Sequence, residues 1–381
     1  MKLLYVINRM TNLAGIERIL SCKMNFLAEN TSYQIILTTY EQDGRPLSFQ
    51  HNKKISYIPI QAPIPIREHR SFLKWLIGYH KARKAFKREF YSLLKELKPD
   101  IVISTVYSYQ YLDIICHATY EQNIKTIIES HTKGETILIA RKFAYNKLLY
   151  HLFSIWDKHI LSSIKHCQCV VTLTKYDLPF WQQHVRHTEV IPNMLTISPL
   201  KVKNYHVKRA ISAGRYMTEK GVDRILEAWH LLSEEYKEWE LFIFGDEDRL
   251  PYQAIIDQYK MNNRVHLMPA TNNIAEEFSK SSIYLMGSRY EGFGLVLAEA
   301  MSCGLPCISF DCPYGPREII RDGKDGFLVN DGDIEAYAHA MECLMSDESL
   351  RRTMGETAIQ NIARFEPESI MNNWKSLFEK I

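Results

Sequence analysis

Ser288-Arg-Tyr-Glu-Gly-Phe-Gly-Leu-Val-Leu-Ala-Glu-Ala-Met-Ser-Cys-Gly-Leu-Pro306 holds two glutamates, Glu291 and Glu299, on either side of a Gly-Phe-Gly turn. Such a turn predicts the start of a helix, whose first N–H groups suit a phosphate ligand. The carboxylates suit sugar hydroxyl groups, which need strong acceptors. Glu299 lies among apolar residues, where a carboxylate is costly without a partner. We therefore favour a binding role over a helix-start acid followed by a surface glutamate.

Short β-branched runs alternate with amphipathic segments on both sides of this stretch. This alternation is typical of βαβ units, and it predicts an α/β protein with two doubly wound, Rossmann-like domains that face each other across a cleft. The predicted strands cover residues 3–8, 34–39, 55–59, 100–105, 125–129, 169–173, 189–191, 209–214, 241–244, 265–268, 283–285, 306–310 and 327–329.

The chain of 381 residues is longer than one core usually serves, so two domains are expected. The alternation of predicted strands and helices is interrupted near Pro192 and Pro199, and a polar stretch follows through His206. We place the boundary at about residue 200, with an N-terminal domain at 1–200 and a C-terminal domain at 201–365. A helix predicted at about 366–381 is able to pack back on the first domain.

Composition excludes several classes of protein. The chain is 46% hydrophobic and 24% charged, and it has no apolar run long enough to span a bilayer. The segment that begins at Met1 is too short for a signal peptide and is predicted to be the first strand. The eight scattered cysteines lack metal-site spacing, which indicates reduced thiols in a cytoplasmic protein.

Charge is distributed unevenly. Residues 1–200 carry 26 lysines and arginines against 15 acidic residues, whereas the remainder carries 21 against 29. Segment 67–91, from Arg67 to Tyr91, contains eight basic residues interleaved with aromatic and aliphatic ones. We favour peripheral contact with an anionic membrane over an ordinary amphipathic helix that packs on the sheet. No recognised nucleic-acid-binding module accompanies the charge.

A second motif, Ala213-Gly-Arg-Tyr-Met-Thr-Glu-Lys-Gly221, follows one predicted strand and precedes a predicted helix. Its Arg215 and Lys220 suit a diphosphate, although two solvated cations on a loop would look the same. Gly15 opens a helix after the first strand, where the backbone is accessible to a phosphate or sugar. His131 ends the sequence Glu129-Ser-His131 after another strand and is expected to point into the cleft.

Two acidic runs resemble metal sites but are better explained as turns. Asp246-Glu-Asp248 follows a predicted strand and carries the acids of a helix start. Asp322-Gly-Lys-Asp-Gly326 resembles part of a calcium loop, but its later ligands are absent. The sequence therefore predicts no metal site.

Taken together, these motifs resemble the retaining glycosyltransferases with the GT-B fold, family 4. The stretch Asp311-Cys-Pro-Tyr-Gly-Pro-Arg-Glu-Ile-Ile320 is similar to the capsule, O-antigen and teichoic-acid branch of that family. The resemblance covers both predicted domains. Its other motifs are Gly15 with Glu17 and Arg18, Glu129-Ser-His131, Ile191-Pro-Asn193, Gly214-Arg215 with Lys220-Gly221, the two-glutamate stretch and the aromatic C-terminal helix.

The resemblance implies a role for each site residue. Arg215 and Lys220 would bind the diphosphate and stabilise charge as the nucleotide leaves. Glu299 would hold the ribose hydroxyls, Gly15 would lie beside the diphosphate, and His131 would lie near the reacting sugar. Glu291 would hold hydroxyls of the donor sugar.

The same resemblance assigns backbone contacts with the donor to the N–H groups of Phe293, Gly294 and Leu295, beside Glu291. The cations and the helix N-terminus would replace a metal ion, so no metal or other cofactor is expected. His131, Glu291, Arg215 and Lys220 are the residues expected to take part in the reaction. No residue is named as a covalent nucleophile.

The implied reaction moves a hexose or N-acetylhexosamine from a nucleotide sugar, most often UDP-linked, to a lipid-linked or saccharide acceptor. It retains configuration and forms an α-linkage in cell-surface polysaccharide synthesis, at the inner face of the cell membrane. Two alternatives stay open. One is a non-catalytic subunit that binds nucleotide sugars, and the other is a sugar-nucleotide epimerase on the same fold.

Overall fold

In a computed structural model the chain forms two compact units. Unit 1 contains Met1–Pro192 and Pro367–Ile381, and unit 2 contains Asn193–Glu366. None of the helices in the described parts of the chain is long and apolar enough to cross a membrane. The structure describes residues 1–11, 14–62, 72–202 and 204–381.

Unit 1 is built on a parallel sheet. Its strands are β1 (Lys2–Ile7), β2 (Gln34–Thr39), β3 (Ser56–Tyr57), β4 (Ile101–Thr105), β5 (Lys125–Ser130), β6 (Cys169–Thr172) and β7 (Thr188–Val190). They lie in the order β3-β2-β1-β4-β5-β6-β7. Its helices include α1 (Gly15–Asn30), α2 (Phe72–Leu97), α3 (Leu112–Glu121), α4 (Lys147–Ile164) and α5 (Leu178–Gln182).

The central strands β1 and β4 are buried along almost their whole length, as is typical of parallel sheets whose two faces are both covered. One core cluster contains Phe86 and Phe90 of α2, whose rings stack, together with Tyr40 and Tyr111. A second cluster includes the fully buried Trp181 of α5. The helices are thereby fixed to the sheet through large side chains.

Unit 2 repeats the same architecture. Its strands are β8 (Arg209–Ala213), β9 (Glu240–Gly245), β10 (Val265–Pro269), β11 (Ile283–Met286), β12 (Cys307–Phe310) and β13 (Gly326–Val329). They lie in the order β10-β9-β8-β11-β12-β13, and every pair is parallel. Its helices include α6 (Val222–His230), α7 (Leu250–Gln258), α8 (Ile274–Ser279), α9 (Leu295–Ser302), α10 (Pro316–Ile319), α11 (Ile334–Ser346) and α12 (Glu348–Ile362).

The last helix, α13 (Pro367–Lys380), belongs to unit 1, where it packs on α1. Trp374 and Phe378, four residues apart on α13, are both buried. The first division of the chain lies after Pro192, eight residues before the predicted position at residue 200. The reason is that Leu195 already belongs to unit 2, where its N–H donates to the Phe365 carbonyl at 2.9 Å.

Each sheet has one place where the strand order reverses. In unit 1 this place is between β1 and β4, and in unit 2 it is between β8 and β11. Loops that leave the carboxyl ends of two such strands run in opposite directions, and the space between them is where open α/β sheets bind ligands. These two sheet edges are therefore the places where a ligand is expected to bind.

Candidate active site

Three loops meet at the carboxyl edge of the unit 2 sheet. One follows β8 and contains Gly214 to Gly221, one follows β11 and contains Gly287 to Gly294, and one follows β12 and ends at Gly315. Because β8, β11 and β12 are neighbours, the two sequence motifs and the stretch that begins at Asp311 lie side by side.

The first two loops are packed backbone to backbone. A Cβ on Gly221 would lie 1.9 Å from the Gly287 carbonyl oxygen, and a Cβ on Gly287 would lie 2.2 Å from that of Gly221. Gly221 also has a φ of +60°, a conformation that side chains disfavour. The Arg289 guanidinium adds a bidentate pair with Asp223 of α6, at 2.8 and 2.5 Å. These contacts fix the register of one loop against the other.

This packing brings Lys220 to Glu291. The Lys220 ammonium lies 2.7 Å from Oε1 of Glu291, and the Ser288 hydroxyl donates to the same oxygen at 2.7 Å. The Lys220 side chain keeps 30% of its surface exposed, whereas the Glu291 side chain keeps 10%. The pair is therefore a partly open salt bridge, and its ammonium has hydrogen-bonding capacity left for an anion.

The third loop closes around Glu291 from the other side. Glu291 forms a parallel β-bridge with Tyr314, and a Cβ on Gly315 would lie 2.2 Å from the Phe293 carbonyl oxygen. Tyr314 has a φ of +81°, an uncommon conformation for a bulky residue. The ring of Tyr290 meets that of Tyr314 edge to face at 6.0 Å. This stretch belongs to the family resemblance, but its contact with Glu291 was not predicted from the sequence.

Helix α9 begins where the Gly-Phe-Gly turn predicts. Gly294 is the residue before the helix and has a φ of +97°, and Leu295 is the first helical residue. Phe293 is buried, and its ring packs edge to face on Phe365 at 5.2 Å. The side chain of Phe293 therefore anchors the turn, and the helix N-terminus beside Glu291 carries backbone N–H groups without intrahelical acceptors.

Glu299 lies in the interior of α9 and only 1% of its surface is exposed. The Thr196 hydroxyl donates to its Oε1 at 2.6 Å. Thr196 is far away in sequence and was not predicted to belong to the site. The expected partner of this buried carboxylate is thus partly supplied by a residue from the start of unit 2.

Arg215, two residues after β8, is exposed, and it pairs with none of the carboxylates that the structure describes. Its guanidinium is therefore not held in a fixed geometry by an ion pair. Arg215 lies on the same loop as Lys220, which is the arrangement that the sequence motif predicts.

Gly15 and His131 both lie at the carboxyl edge of the unit 1 sheet. Gly15 is the first residue of α1, which follows β1, and His131 directly follows β5. The His131 side chain is buried, and its Nε2 lies 3.0 Å from Oε2 of Glu129. The Glu129 carboxylate also lies 2.6 Å from the ammonium of Lys23, a residue of α1 that sequence reasoning missed.

The acidic run at Asp246 follows β9 as a turn, with Glu247 at a φ of +76°. Among the described residues, histidine, cysteine and carboxylate side chains form no group of three or more that would hold a metal ion. Of segment 67–91, residues 67–71 lie outside the described part of the chain, and the rest forms the first four-fifths of α2.

Comparison with known proteins gives concordant results. The family model described as "Glycosyl transferases group 1" matches residues 199–361. The chain is 26% identical over 390 residues to the "Amylovoran biosynthesis glycosyltransferase AmsD" of Erwinia amylovora, with 99% of each chain covered.

Solved structures of two transferases are similar over almost the whole chain. A mutant form of S. aureus TarM in complex with fondaparinux, alpha-GlcNAc-glycerol and UDP matches with a TM-score of 0.76 at 15% identity, covering 99% of this chain and 100% of that one. The pneumococcal O-GlcNAc transferase GtfA in complex with UDP and GlcNAc matches with a TM-score of 0.73 at 16% identity, covering 99% and 98%. At these identities the likeness concerns the fold.

Proposed function

Because the chain belongs to the group 1 glycosyltransferases with the GT-B fold, the family 4 type that its sequence predicts, we propose that it transfers a hexose or N-acetylhexosamine from a UDP-sugar. The acceptor is a lipid-linked or saccharide molecule of cell-surface polysaccharide synthesis. The observation that carries the proposal is the Lys220–Glu291 pair, which lies beside the N-terminus of α9 at the switch point of the unit 2 sheet.

Each charged side chain at this edge of the unit 2 sheet suits one part of a nucleotide sugar. The Lys220 ammonium and the Arg215 guanidinium bind the diphosphate, to which the N–H groups of Gly294 and Leu295 also donate. Glu291 accepts hydrogen bonds from hydroxyls of the donor sugar. Glu299, buried and held by Thr196, accepts from the ribose hydroxyls. UDP is favoured as the nucleotide because the complexes of TarM and GtfA named above contain it.

For unit 1 we propose the roles that the resemblance implies, in which Gly15 lies beside the diphosphate and His131 lies near the reacting sugar.

The bond between the anomeric carbon and the diphosphate oxygen breaks, and its electrons leave with the UDP. Lys220 and Arg215 stabilise the charge that develops on the departing diphosphate without a metal ion. The acceptor hydroxyl attacks the same face of the sugar through an oxocarbenium-like state and gives its proton to the departing diphosphate, which retains configuration and gives an α-linkage.

The first test is binding and transfer with a panel of donors. UDP-GlcNAc, UDP-GalNAc, UDP-Gal, UDP-Glc and GDP-mannose are screened by thermal shift, since a ligand of the native state raises the melting temperature. The donor that binds is then offered with lipid-linked and saccharide acceptors, with and without EDTA. We expect one UDP-sugar to give an α-linked product by NMR, at the same rate with the chelator.

The outcomes separate the alternatives. A β-linked product contradicts retention, and a loss of rate with EDTA contradicts the metal-free mechanism. Binding of UDP-sugars without transfer to any acceptor supports the nucleotide-sugar-binding subunit. Recovery of an epimerised donor supports the epimerase.

We further propose that unit 1 contacts the inner face of the cell membrane. On α2 the aliphatic side chains of Leu76 and Ile77 are exposed, as are the ammonium groups of Lys84 and Lys87. The Arg83 guanidinium lies 5.1 Å from the centre of the Trp156 ring, so α2 and α4 are neighbours.

Helix α4, the neighbour of α2, also exposes aliphatic and basic side chains. Leu148, Leu152 and Ile155 are exposed on α4, and Arg141 and Lys142 are exposed just before it. Exposed aliphatic side chains together with lysines and arginines suit an anionic lipid surface, where apolar burial and charge attraction act together.

This contact is tested with liposomes that contain or lack phosphatidylglycerol. The double variant Lys84→Glu/Lys87→Glu is expected to lose most binding to the anionic vesicles. The matched control is Lys237→Glu/Lys324→Glu, which makes the same charge change at exposed lysines of unit 2. Equal binding by the two double variants would refute docking through α2.

A further inference from the structure

Lys23 is a lysine in the interior of unit 1, with 2% of its surface exposed. Its ammonium lies 2.6 Å from Oε1 of Glu129 and 3.5 Å from the centre of the Trp374 ring of α13. A buried ammonium is strongly unfavourable without an anion beside it. Lys23 is therefore tied to Glu129 by charge and to α13 by its contact with the indole face.

Glu129 divides its two oxygens between two partners. Oε1 faces Lys23 at 2.6 Å, and Oε2 lies 3.0 Å from Nε2 of His131. Burial by itself would raise the pKa of Glu129, but the charge of Lys23 and the contact with His131 outweigh burial and lower the pKa below its usual range. Burial lowers the pKa of Lys23, and Glu129 opposes that shift. Glu129 is therefore ionised at neutral pH.

The backbone around His131 is fixed independently by Asp177. The Ser130 hydroxyl donates to Oδ2 of Asp177 at 3.0 Å, and the Gly134 N–H donates to Oδ1 at 2.8 Å. Trp181 Nε1 also donates to Oδ2, at 3.0 Å. The strand end before His131 and the loop after it are therefore both held by Asp177.

We propose that Lys23 and Glu129 are positioning residues for His131, and that Trp374 of α13 takes part by its contact with the Lys23 ammonium. Lys23 holds the carboxylate, and the carboxylate keeps the proton on Nε2 of His131. Nδ1 then carries the lone pair. Both ring nitrogens are buried, and neither makes a hydrogen bond of good geometry among the described residues. Nε2 nevertheless lies 3.0 Å from Oε2 of Glu129, which leaves Nδ1 as the nitrogen to accept from a hydroxyl of the reacting sugar when that sugar binds. The proposal rests on the proposed function, in which His131 serves that sugar.

The competing explanation is that the Lys23–Glu129 pair only stabilises unit 1. Truncating one partner does not separate the explanations, because it leaves a buried charge unpaired. The double variant Lys23→Met/Glu129→Gln separates the two explanations, since neutral side chains of similar size often replace a buried ion pair without loss of stability. A stabilising pair predicts normal turnover in that variant, whereas a positioning pair predicts that turnover stays low.

The first readout is steady-state kinetics together with thermal stability. We expect Lys23→Met/Glu129→Gln to melt close to wild type while kcat falls about 100-fold and KM changes little, because a misoriented general acid–base or hydrogen-bonding group costs about this much. Adding His131→Ala to the double variant should cause no further loss. Wild-type kcat in the folded double variant would overturn the proposal.

Asp113 of α3 provides a matched control in the same unit. Its buried carboxylate also lies between a cation and a histidine, with Arg83 at 2.5 Å and His159 Nε2 at 3.2 Å, both from Oδ2. Asp113→Asn removes the same charge as Glu129→Gln but contacts none of the residues predicted to bind the nucleotide sugar. Each single variant leaves a cation without its carboxylate, so the comparison includes that effect on both sides, and we expect kcat to fall in Glu129→Gln and to stay unchanged in Asp113→Asn. Equal loss in both would indicate a general effect of neutralising a buried carboxylate.

The second readout does not depend on turnover. In protein labelled with ¹⁵N-histidine, the His131 ring signals are assigned by their loss in His131→Gln and recorded at pH 8. We expect the Nε2–H tautomer in wild type and a mixture of tautomers in Lys23→Met/Glu129→Gln. A mixture in wild type would overturn the positioning role. A fixed tautomer in a protein that transfers no sugar would instead contradict the proposed function and leave the positioning of His131 intact.

Discussion

The two units hold a lysine–glutamate pair in opposite surroundings. In unit 1, Lys23 and Glu129 are both buried, and the second oxygen of Glu129 is already occupied by His131. In unit 2, Lys220 and Glu291 are in similar contact, but almost a third of the lysine side chain is exposed. The nitrogen–oxygen distances of the two pairs are therefore similar, 2.6 and 2.7 Å, but their exposure differs. We call the buried pair Lys23–Glu129 the closed pair and the partly exposed pair Lys220–Glu291 the open pair.

Burial decides what each pair can do. A closed pair has lost its hydration, and a buried charge cannot leave its partner without a large cost, so the pair fixes geometry. An open pair retains water on one side, and its ammonium is able to add a phosphate oxygen while it keeps the carboxylate oriented. This difference assigns ligand binding to Lys220 and Glu291, and the orientation of His131 to Lys23 and Glu129.

The largest expected effect tests the open pair. Lys220→Ala removes the cation that would stabilise the leaving diphosphate, and we expect kcat/KM to fall about 10²–10³-fold, or roughly 3–4 kcal/mol of transition-state stabilisation. Donor-dependent turnover and the melting temperature are measured together.

Lys280→Ala is the control for this prediction, because Lys280 also pairs with glutamates on unit 2 but lies away from the three loops. Lys280→Ala should keep wild-type kcat/KM. Undiminished turnover in a folded Lys220→Ala enzyme would remove the open pair from the reaction.

The next effect tests how the open pair is built. Gly221→Ala would place a Cβ 1.9 Å from the Gly287 carbonyl oxygen, and the loops must separate to relieve the clash. We expect a loss of about 3 kcal/mol in the free energy of unfolding, measured by urea titration, together with lost donor binding.

Gly323→Ala separates the clash from backbone strain. Gly323 has a similar φ of +69°, but a Cβ there would meet nothing within 4 Å. Its replacement should cost only about 1 kcal/mol, from the left-handed conformation. If both alanine variants lose the same stability, the contact between Gly221 and Gly287 does not determine the loop register.

The closed pair is tested by acid. The pKa of Glu129 in the folded protein lies below its usual value of 4.5, so its contribution to stability is present above pH 4.5 and is lost as pH falls through the lowered pKa. The difference in urea midpoint between wild type and Glu129→Gln should therefore narrow between pH 5 and pH 3.

Glu238→Gln provides the exposed counterpart. Its contact with Lys208 lowers the pKa of Glu238, but the carboxylate is solvated, so we expect almost no change in urea midpoint at any pH in this range. A pH-independent difference for Glu129→Gln would mean that the buried carboxylate is not linked to acid stability.

The site of the open pair, Lys220 and Glu291, was largely predictable from sequence, because each of its motifs is a short continuous stretch of the chain. The glycine turn predicts where α9 begins, and strand-end motifs placed Lys220 and Glu291 at one sheet edge. The fold was predicted correctly, and the predicted family agrees with the group 1 glycosyltransferase model that matches residues 199–361. The closed site was not predictable in the same way, since Lys23, Glu129 and Trp374 come from three distant segments.

A weak signal for Lys23 was nevertheless present in the sequence. Lys23 stands four residues after Ile19 and four before Leu27, which places a charge on the apolar face of α1. A lysine at such a position either extends to the surface or meets a buried anion, and helical periodicity alone does not choose between them. Thr196 gave no comparable signal, because its partner Glu299 is more than 100 residues away.

The smallest expected effect concerns Glu299, a carboxylate of unit 2 that is as buried as Glu129 but accepts from a hydroxyl. Thr196→Val keeps the shape of the side chain and removes the bond at 2.6 Å, which should weaken nucleotide binding by about 1 kcal/mol. The KM for the donor should rise about fivefold with little change in kcat, since the ribose is remote from the bond that breaks. Thr196→Ser retains the hydroxyl and should behave as wild type. A fall in kcat instead of a rise in KM would show that Glu299 acts on the reacting sugar, as a buried carboxylate that orients the reaction in the way proposed for Glu129.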